Sequence, residues 1–218
     1  MKKQFVFAFV LLVLFSTYKS KKSLSINKLK IETIYIENNL ILSNEEIKED
    51  LDFLYNTNLL FLNTTSIERV LKKKDFIKDF KIKKIYPNKI KIMVFEKKPI
   101  FILQQKKKKF YIDENINLIH YLELKDFKNL PVVFGKKENF SIFYQNLKKM
   151  NFPFNLIKNY YFFESNRWNL ETYEKKIIKL PTENYIESLK NFIKLQKTND
   201  FEKFKIFDYR INNQLILK

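Results

Sequence analysis

From Ile90 to Glu96 the chain alternates: Ile90, Ile92 and Val94 fall on one side of an extended segment, Lys91, Met93 and Phe95 on the other. A period of two predicts a strand with one face in a core. Before it, "FKIKKI" predicts a second strand, and Tyr86-Pro87-Asn88 the turn between them. Further upstream "LKIETIYIENN" predicts another strand. Ser43-Asn44-Glu45-Glu46 has the spacing of a capping box. Ile47, Leu51 and Leu54 follow at helical spacing, so a helix with one apolar side is expected. Thr65-Ser66-Ile67-Glu68 repeats the box pattern before Ile67, Val70 and Leu71. The order is β-α-α-β-β, in which two helices cover one face of a three-stranded sheet. Pro99 lacks a ladder donor and biases Lys98 to extended geometry. It predicts that the chain leaves one sheet there and starts the next without a loop, placing a domain boundary between residues 98 and 99.

Residues 99–218 read as mostly strand. "PIFILQQ", "KKFYIDEN", "NLIHYL" and "LPVVFG" precede a helical "FSIFYQNLKKM". "NYYFFES", "RWNLETY" and "KIIKLP" are strands again. Thr182 is the expected N-cap of a second helix carrying Ile186, Leu189 and Ile193 on one side. "KIFDYRINNQLILK" predicts a strand, a two-residue Asn212-Asn213 turn and a last strand.

The N-terminus differs from both regions. Two lysines precede an unbroken apolar run from Phe5 to Phe15, with no Ala-x-Ala-like site after it. The reading is an uncleaved signal anchor in residues 1–22, a cleaved signal peptide being the alternative. Residues 4–18 as a helix span about 22 Å, short of a hydrocarbon core of ~30 Å. A long downstream region is translocated largely regardless of charge, which puts the bulk of the chain outside the cytoplasm.

The formal charge is +18, but Arg69, Arg167 and Arg210 are the only arginines and the lysines are scattered along the chain. With abundant Asn, Ile and Phe, this is what an AT-rich coding sequence yields, so a solvated surface is expected rather than a nucleic-acid stripe. Cysteine is absent, which excludes disulfides, thiolate metal sites and cysteine nucleophiles. The single glycine, Gly135, excludes a glycine-rich phosphate loop. His120 is the only histidine, and no partners stand at metal or triad spacing. No catalytic residue, cofactor or metal is expected, so function is sought in surfaces.

The stretch "YPNKIKIMVFEKKPI" resembles the aromatic-Pro-Asn … Glu-Arg/Lys-x-Pro signature of the FtsQ/DivIB family of bacterial cell-division proteins, here in Tyr86, Pro87, Asn88, Glu96, Lys97 and Pro99. Asp113, Leu130-Pro131 with Gly135, Arg167-Trp168, and Asp208-Tyr209-Arg210 are similar to further family motifs in the same order. Ile116 departs from the pattern, standing where the family turn has glycine. Either that turn has another geometry here or the match is shifted by one residue.

The resemblance implies an α+β protein. An N-terminal transmembrane helix (1–22) leads to a POTRA domain (26–98) and a mostly antiparallel β domain with one or two helices (99–218). It implies a non-catalytic divisome scaffold, single-pass in the inner membrane, mainly periplasmic and concentrated at the septum. Such a scaffold recruits FtsB/FtsL-like proteins, and other division proteins through its POTRA domain. A POTRA-bearing transport or outer-membrane assembly factor is the alternative.

A final strand at a sheet edge offers unpaired backbone groups for β-addition. The residues carried over as partner contacts are Tyr209, Arg210 and Ile211 before the turn, and Leu215, Ile216 and Leu217 after it.

Overall fold

The computed structural model describes residues 2–17, 26–198, 201–211 and 214–218. Contacts divide the chain into two compact units, 1–74 with 79–95, and 75–78 with 96–218. The helix α1, Lys2–Thr17, has 16 residues. At ~1.5 Å per residue it is about 24 Å long. Among the described residues, no helix is long and apolar enough to cross a membrane.

The first unit follows the expected order. It comprises β1 (Thr33–Glu37), α2 (Asn44–Asp50), α3 (Thr65–Leu71), β2 (Ile77–Ile85) and β3 (Lys89–Glu96). The sheet order is β1-β3-β2, with β1 parallel to β3. Ile90, Ile92 and Val94 are buried as the alternation requires. Ile34 and Ile36 of β1 join them, with Ile47, Leu51, Leu54, Ile67 and Leu71 from the helical segments.

Ser43 caps α2, its Oγ accepting the Glu46 N–H at 3.1 Å. The Glu46 carboxylate goes elsewhere: Lys74 Nζ lies 2.6 Å from Glu46 and from Asp50, tying α2 to the chain beyond α3. The second expected box does not form as written. Thr64, not Thr65, is the N-cap residue of α3 and makes no side-chain cap. Asn63 Oδ1 instead accepts the Thr65 N–H at 3.0 Å.

The second unit is one nine-stranded mixed sheet. Its strands are β4 (Pro99–Gln105), β5 (Lys108–Asp113), β6 (Leu118–His120), β7 (Val132–Phe134), β8 (Ile157–Phe163), β9 (Arg167–Thr172), β10 (Ile177–Lys179), β11 (Ile206–Asp208) and β12 (Ile216–Leu217). Helix α4 (Lys137–Lys149) precedes β8, and α5 (Tyr185–Leu195) links β10 to β11. The order across the sheet is β12-β11-β10-β9-β8-β7-β4-β5-β6. The β4–β7, β7–β8 and β10–β11 pairs are parallel, the others antiparallel. Phe140, Phe143 and Leu147 of α4, with Leu189 and Phe192 of α5, join Phe101, Tyr160, Trp168 and Phe207 in its core.

Three sequence features find their physical reasons here. A Cβ on Gly135 would sit 2.9 Å from Phe162 Cβ, so the lone glycine permits a close approach of two segments. Ile116 takes φ 61°, the left-handed conformation that a glycine adopts freely. Its side chain is buried, and Asp113 organises the turn: Oδ1 accepts the N–H groups of Asn115 and Asn117 at 2.9 and 2.8 Å. Thr182, by contrast, does not cap α5. The helix starts at Tyr185 behind Asn184, which itself has φ 56°.

Candidate partner-binding edge

One rim of the sheet is built by β10, β11 and β12. Phe207 fixes β11, its ring meeting Phe192 edge-on at 5.1 Å and lying nearly parallel to Phe201 at 5.1 Å. Lys176, just before β10, is buried, and its Nζ donates to the carbonyl oxygens of Phe201 and Phe204 at 3.0 and 3.1 Å. A buried ammonium is tolerable only with such acceptors. Here it fastens the turn that delivers the chain to β11.

The ladder shows which backbone groups remain open. Ile206 and Lys218 exchange both hydrogen bonds, at 2.9 and 3.1 Å, and Phe207 faces Leu217 in register. In an antiparallel pair successive residues point their N–H and C=O groups to opposite sides. Lys218 therefore faces β11, while the N–H and C=O of Leu217 point away from it. Among the described residues no strand flanks β12 on that side.

The structure sorts the six residues singled out in the sequence. Tyr209, Arg210 and Ile211 lie beyond the end of β11 rather than within it. Of the expected hairpin, β11 ends at Asp208 and β12 begins at Ile216. Gln214 N–H donates to Ile211 O at 3.2 Å, and Asn212 and Asn213 lie outside the described residues. Tyr209 is 7% exposed. Its N–H donates to Lys179 O, and its hydroxyl to Asn191 Oδ1 at 2.9 Å. Burial pushes that hydroxyl's pKa up. Tyr209 therefore holds the rim from inside. Leu215 and Leu217 pack on the core, and Ile211 and Ile216 are exposed at 50% and 38%.

Arg210 forms a two-pronged pair with the buried Asp208. Its Nη2 donates to Oδ2 at 2.6 Å and its Nε to Oδ1 at 2.8 Å. These bonds hold the Asp208 carboxyl below the usual carboxylate range, against the opposing effect of burial. The Asp-x-Arg spacing thus sets the backbone immediately before the rim loop. Lys176, Lys179 and Asn191 support the rim without having been apparent in the sequence. Their partners lie 18 or more residues away, or across a ladder, and no local pattern announces them.

The opposite rim, β6, is covered. The pairing of Tyr111 with Ile119 turns the His120 N–H away from β5, and Asp75 Oδ2 accepts it at 3.3 Å. Phe76 follows, its ring edge-on to Tyr111 at 6.2 Å.

A three-stranded β-α-α-β-β unit followed by a wide mixed sheet with one covered and one open rim defines a POTRA protein with an appended β domain. The comparisons with known proteins agree. Residues 29–97 match the POTRA domain, FtsQ-type, and residues 101–210 match the C-terminal region of cell division protein FtsQ/DivIB. The chain belongs to the FtsQ/DivIB family of cell-division proteins.

Cell division protein FtsQ of Rickettsia bellii is 28% identical over 193 residues, covering 87% of this chain and 72% of that protein. Cell division protein DivIB of Clostridium tetani is 27% identical over 133 residues, covering 59% and 49%. The solved major extracytoplasmic domain of DivIB from Geobacillus stearothermophilus aligns with 49% of this chain and 96% of its own length, at 12% identity and TM-score 0.34.

Proposed function

We propose that the chain is a non-catalytic scaffold of the division machinery, held at the inner membrane by α1 with its bulk in the periplasm. It captures FtsB/FtsL-like proteins at the septum by adding one of their strands to β12. The observation that carries this reading is the outward direction of the Leu217 N–H and C=O on a rim with no flanking strand among the described residues. Backbone pairing there supplies affinity. The exposed Ile211 and Ile216 supply apolar contacts beside it, the Leu215 backbone extends the docking line, and Tyr209 and Arg210 hold the rim in shape. The POTRA unit is left to contact other division proteins. The side chains of α1 are exposed and apolar from Phe5 to Phe15, which suits a lipid environment. The shortfall in length is met by snorkelling lysines or local thinning of the bilayer.

The test removes one donor. Leu217→Pro deletes the outward N–H while leaving the inward bonds of Ile216 and Lys218, a position where an edge strand tolerates proline. In detergent extracts of dividing cells, the intact variant is expected to lose co-purification with the FtsB/FtsL-like proteins while melting within a few degrees of the parent. Undiminished capture would sink the edge reading. Even distribution of a tagged copy in dividing cells would sink the scaffold.

A further inference from the structure

Three segments of the first unit meet at one end of its sheet. The Glu32 and Thr33 N–H groups both reach Asn88 O, at 2.9 and 3.4 Å, placing the Tyr86-Pro87-Asn88 turn against the start of β1. The loop over residues 57–62 is fastened to the chain approaching β1: Ile31 N–H donates to Thr57 O at 2.9 Å and Leu59 N–H to Leu29 O at 2.8 Å. Lys84 Nζ donates to Leu62 O at 3.1 Å and reaches Leu60 O at 3.5 Å, joining that loop to β2. Leu59 and Leu62 are buried, so the loop is anchored on both sides of Leu60 and Phe61. Those two side chains nevertheless stand 52% and 77% exposed, and Tyr86, in the turn at the same end of the sheet, 55%.

An anchored loop presenting Leu and Phe to water forgoes the stabilisation that burying each side chain would bring. Its setting indicates what covers it. Leu29, held at this end by its carbonyl, is twelve residues beyond Thr17, so the connection to α1 spans at most ~40 Å. From Tyr18 to Lys30 the sequence has five lysines and no acidic residue. Lys84 and Lys89 add charge at the same end. Glu32 lies at this end too, and its carboxylate accepts from Asn88 Nδ2.

We infer that this end of the first unit rests on an anionic lipid bilayer, with Phe61 and Tyr86 in the interface and Lys28, Lys30, Lys84 and Lys89 among the headgroups. The inference rests on reading α1 as the membrane anchor. It gives a short anchor a second foothold and fixes the height of the POTRA unit above the lipid.

Since the chain has no cysteine, single labels can be placed at will. Leu60→Cys, Phe9→Cys and Ile142→Cys are each labelled with bimane in the full chain, reconstituted into phosphatidylethanolamine–phosphatidylglycerol vesicles carrying nitroxide lipid. Ile142 is an exposed site on α4. The Leu60 label is expected to be quenched several-fold more than the Ile142 label. That excess should vanish when Phe61 and Tyr86 are both changed to Ser, and shrink when phosphatidylglycerol is omitted. A Leu60 label quenched no more than Ile142 overturns the inference, as does quenching that survives the double Ser change. The Phe9 label reports separately on α1. Quenched Phe9 with unquenched Leu60 leaves the anchor and removes the surface, and neither quenched removes both. Quenching at Leu60 alone removes the anchor and keeps the surface.

Discussion

The two rims of the nine-stranded sheet solve the same problem differently. At β6 the outward N–H of His120 meets the Asp75 carboxylate, and Phe76 comes with it. At β12 the outward groups of Leu217 meet no strand among the described residues. An uncovered edge invites pairing with other chains, and proteins usually blunt it. Here one rim is blunted by a carboxylate, and the other is kept only two residues long and left open. The difference teaches that an edge is read from what faces its unpaired groups, not from its place in the strand order.

The comparison can be broken most severely at Phe207. Phe207→Ala empties the space between Phe192 and Phe201 and is expected to cost about 3–5 kcal/mol. Hydrogen exchange should then speed up at β11 and β12 before it does at Ile119 of β6. Equal acceleration at both rims would show that they do not behave as separate units.

A smaller effect is expected at Ile116, in the turn feeding the covered rim. Ile116→Gly relieves a left-handed backbone worth about 1–2 kcal/mol but forfeits a buried side chain worth roughly 2–4 kcal/mol. Net destabilisation of about 1–2 kcal/mol should appear as a lower denaturant midpoint. A gain in stability would mean that strain outweighs packing there.

Arg210→Ala sharpens the comparison at the open rim. The pair is part-exposed, so the loss should be about 1 kcal/mol. Its pH dependence follows from the depressed Asp208 pKa. A carboxylate with a folded-state pKa below its unfolded value of ~3.9 contributes fully above that value. It loses that contribution as pH falls through the folded value. Parent and variant should thus differ at neutral pH and converge in strong acid; a constant gap in urea titrations across this range would assign the loss to packing.

The smallest effect is at the covered rim. Asp75→Asn keeps an acceptor but removes the charge, and a cost of about 0.5 kcal/mol is expected, with faster exchange confined to the His120 amide. An unchanged exchange rate there would mean that the carboxylate is not what protects it.

What the sequence revealed, and what it did not, follows the range of each interaction. The alternation of Ile90, Ile92 and Val94 was sufficient because a strand's period is local. Ser43 was legible because its cap spans three residues. Asp208-Tyr209-Arg210 was legible as a motif, and the structure supplies its meaning as a two-pronged ion pair. The caps at Thr65 and Thr182 were misplaced because the same short pattern suits neighbouring starts, and packing chose among them: Asn63 took the amide near α3, and α5 began beyond Asn184. Tyr209 enters the candidate surface through the family resemblance, and nothing in its own neighbourhood announces the bond to Asn191. Asp75 was invisible as an edge cover because it acts 45 residues from its partner.

The crossover from β10 through α5 to β11 has a consequence for assembly. Ile178 and Phe207 are neighbours in the sheet, yet the whole of α5 separates them in sequence, and β12 can dock only on a finished β11. Closing a loop of that length is slow relative to joining a hairpin. Pulse-labelled refolding should accordingly protect Leu170 well before Ile206, and simultaneous protection would refute this order. The β11–β12 rim then matures last, and under the proposed strand addition only the fully folded chain has a strand to pair with.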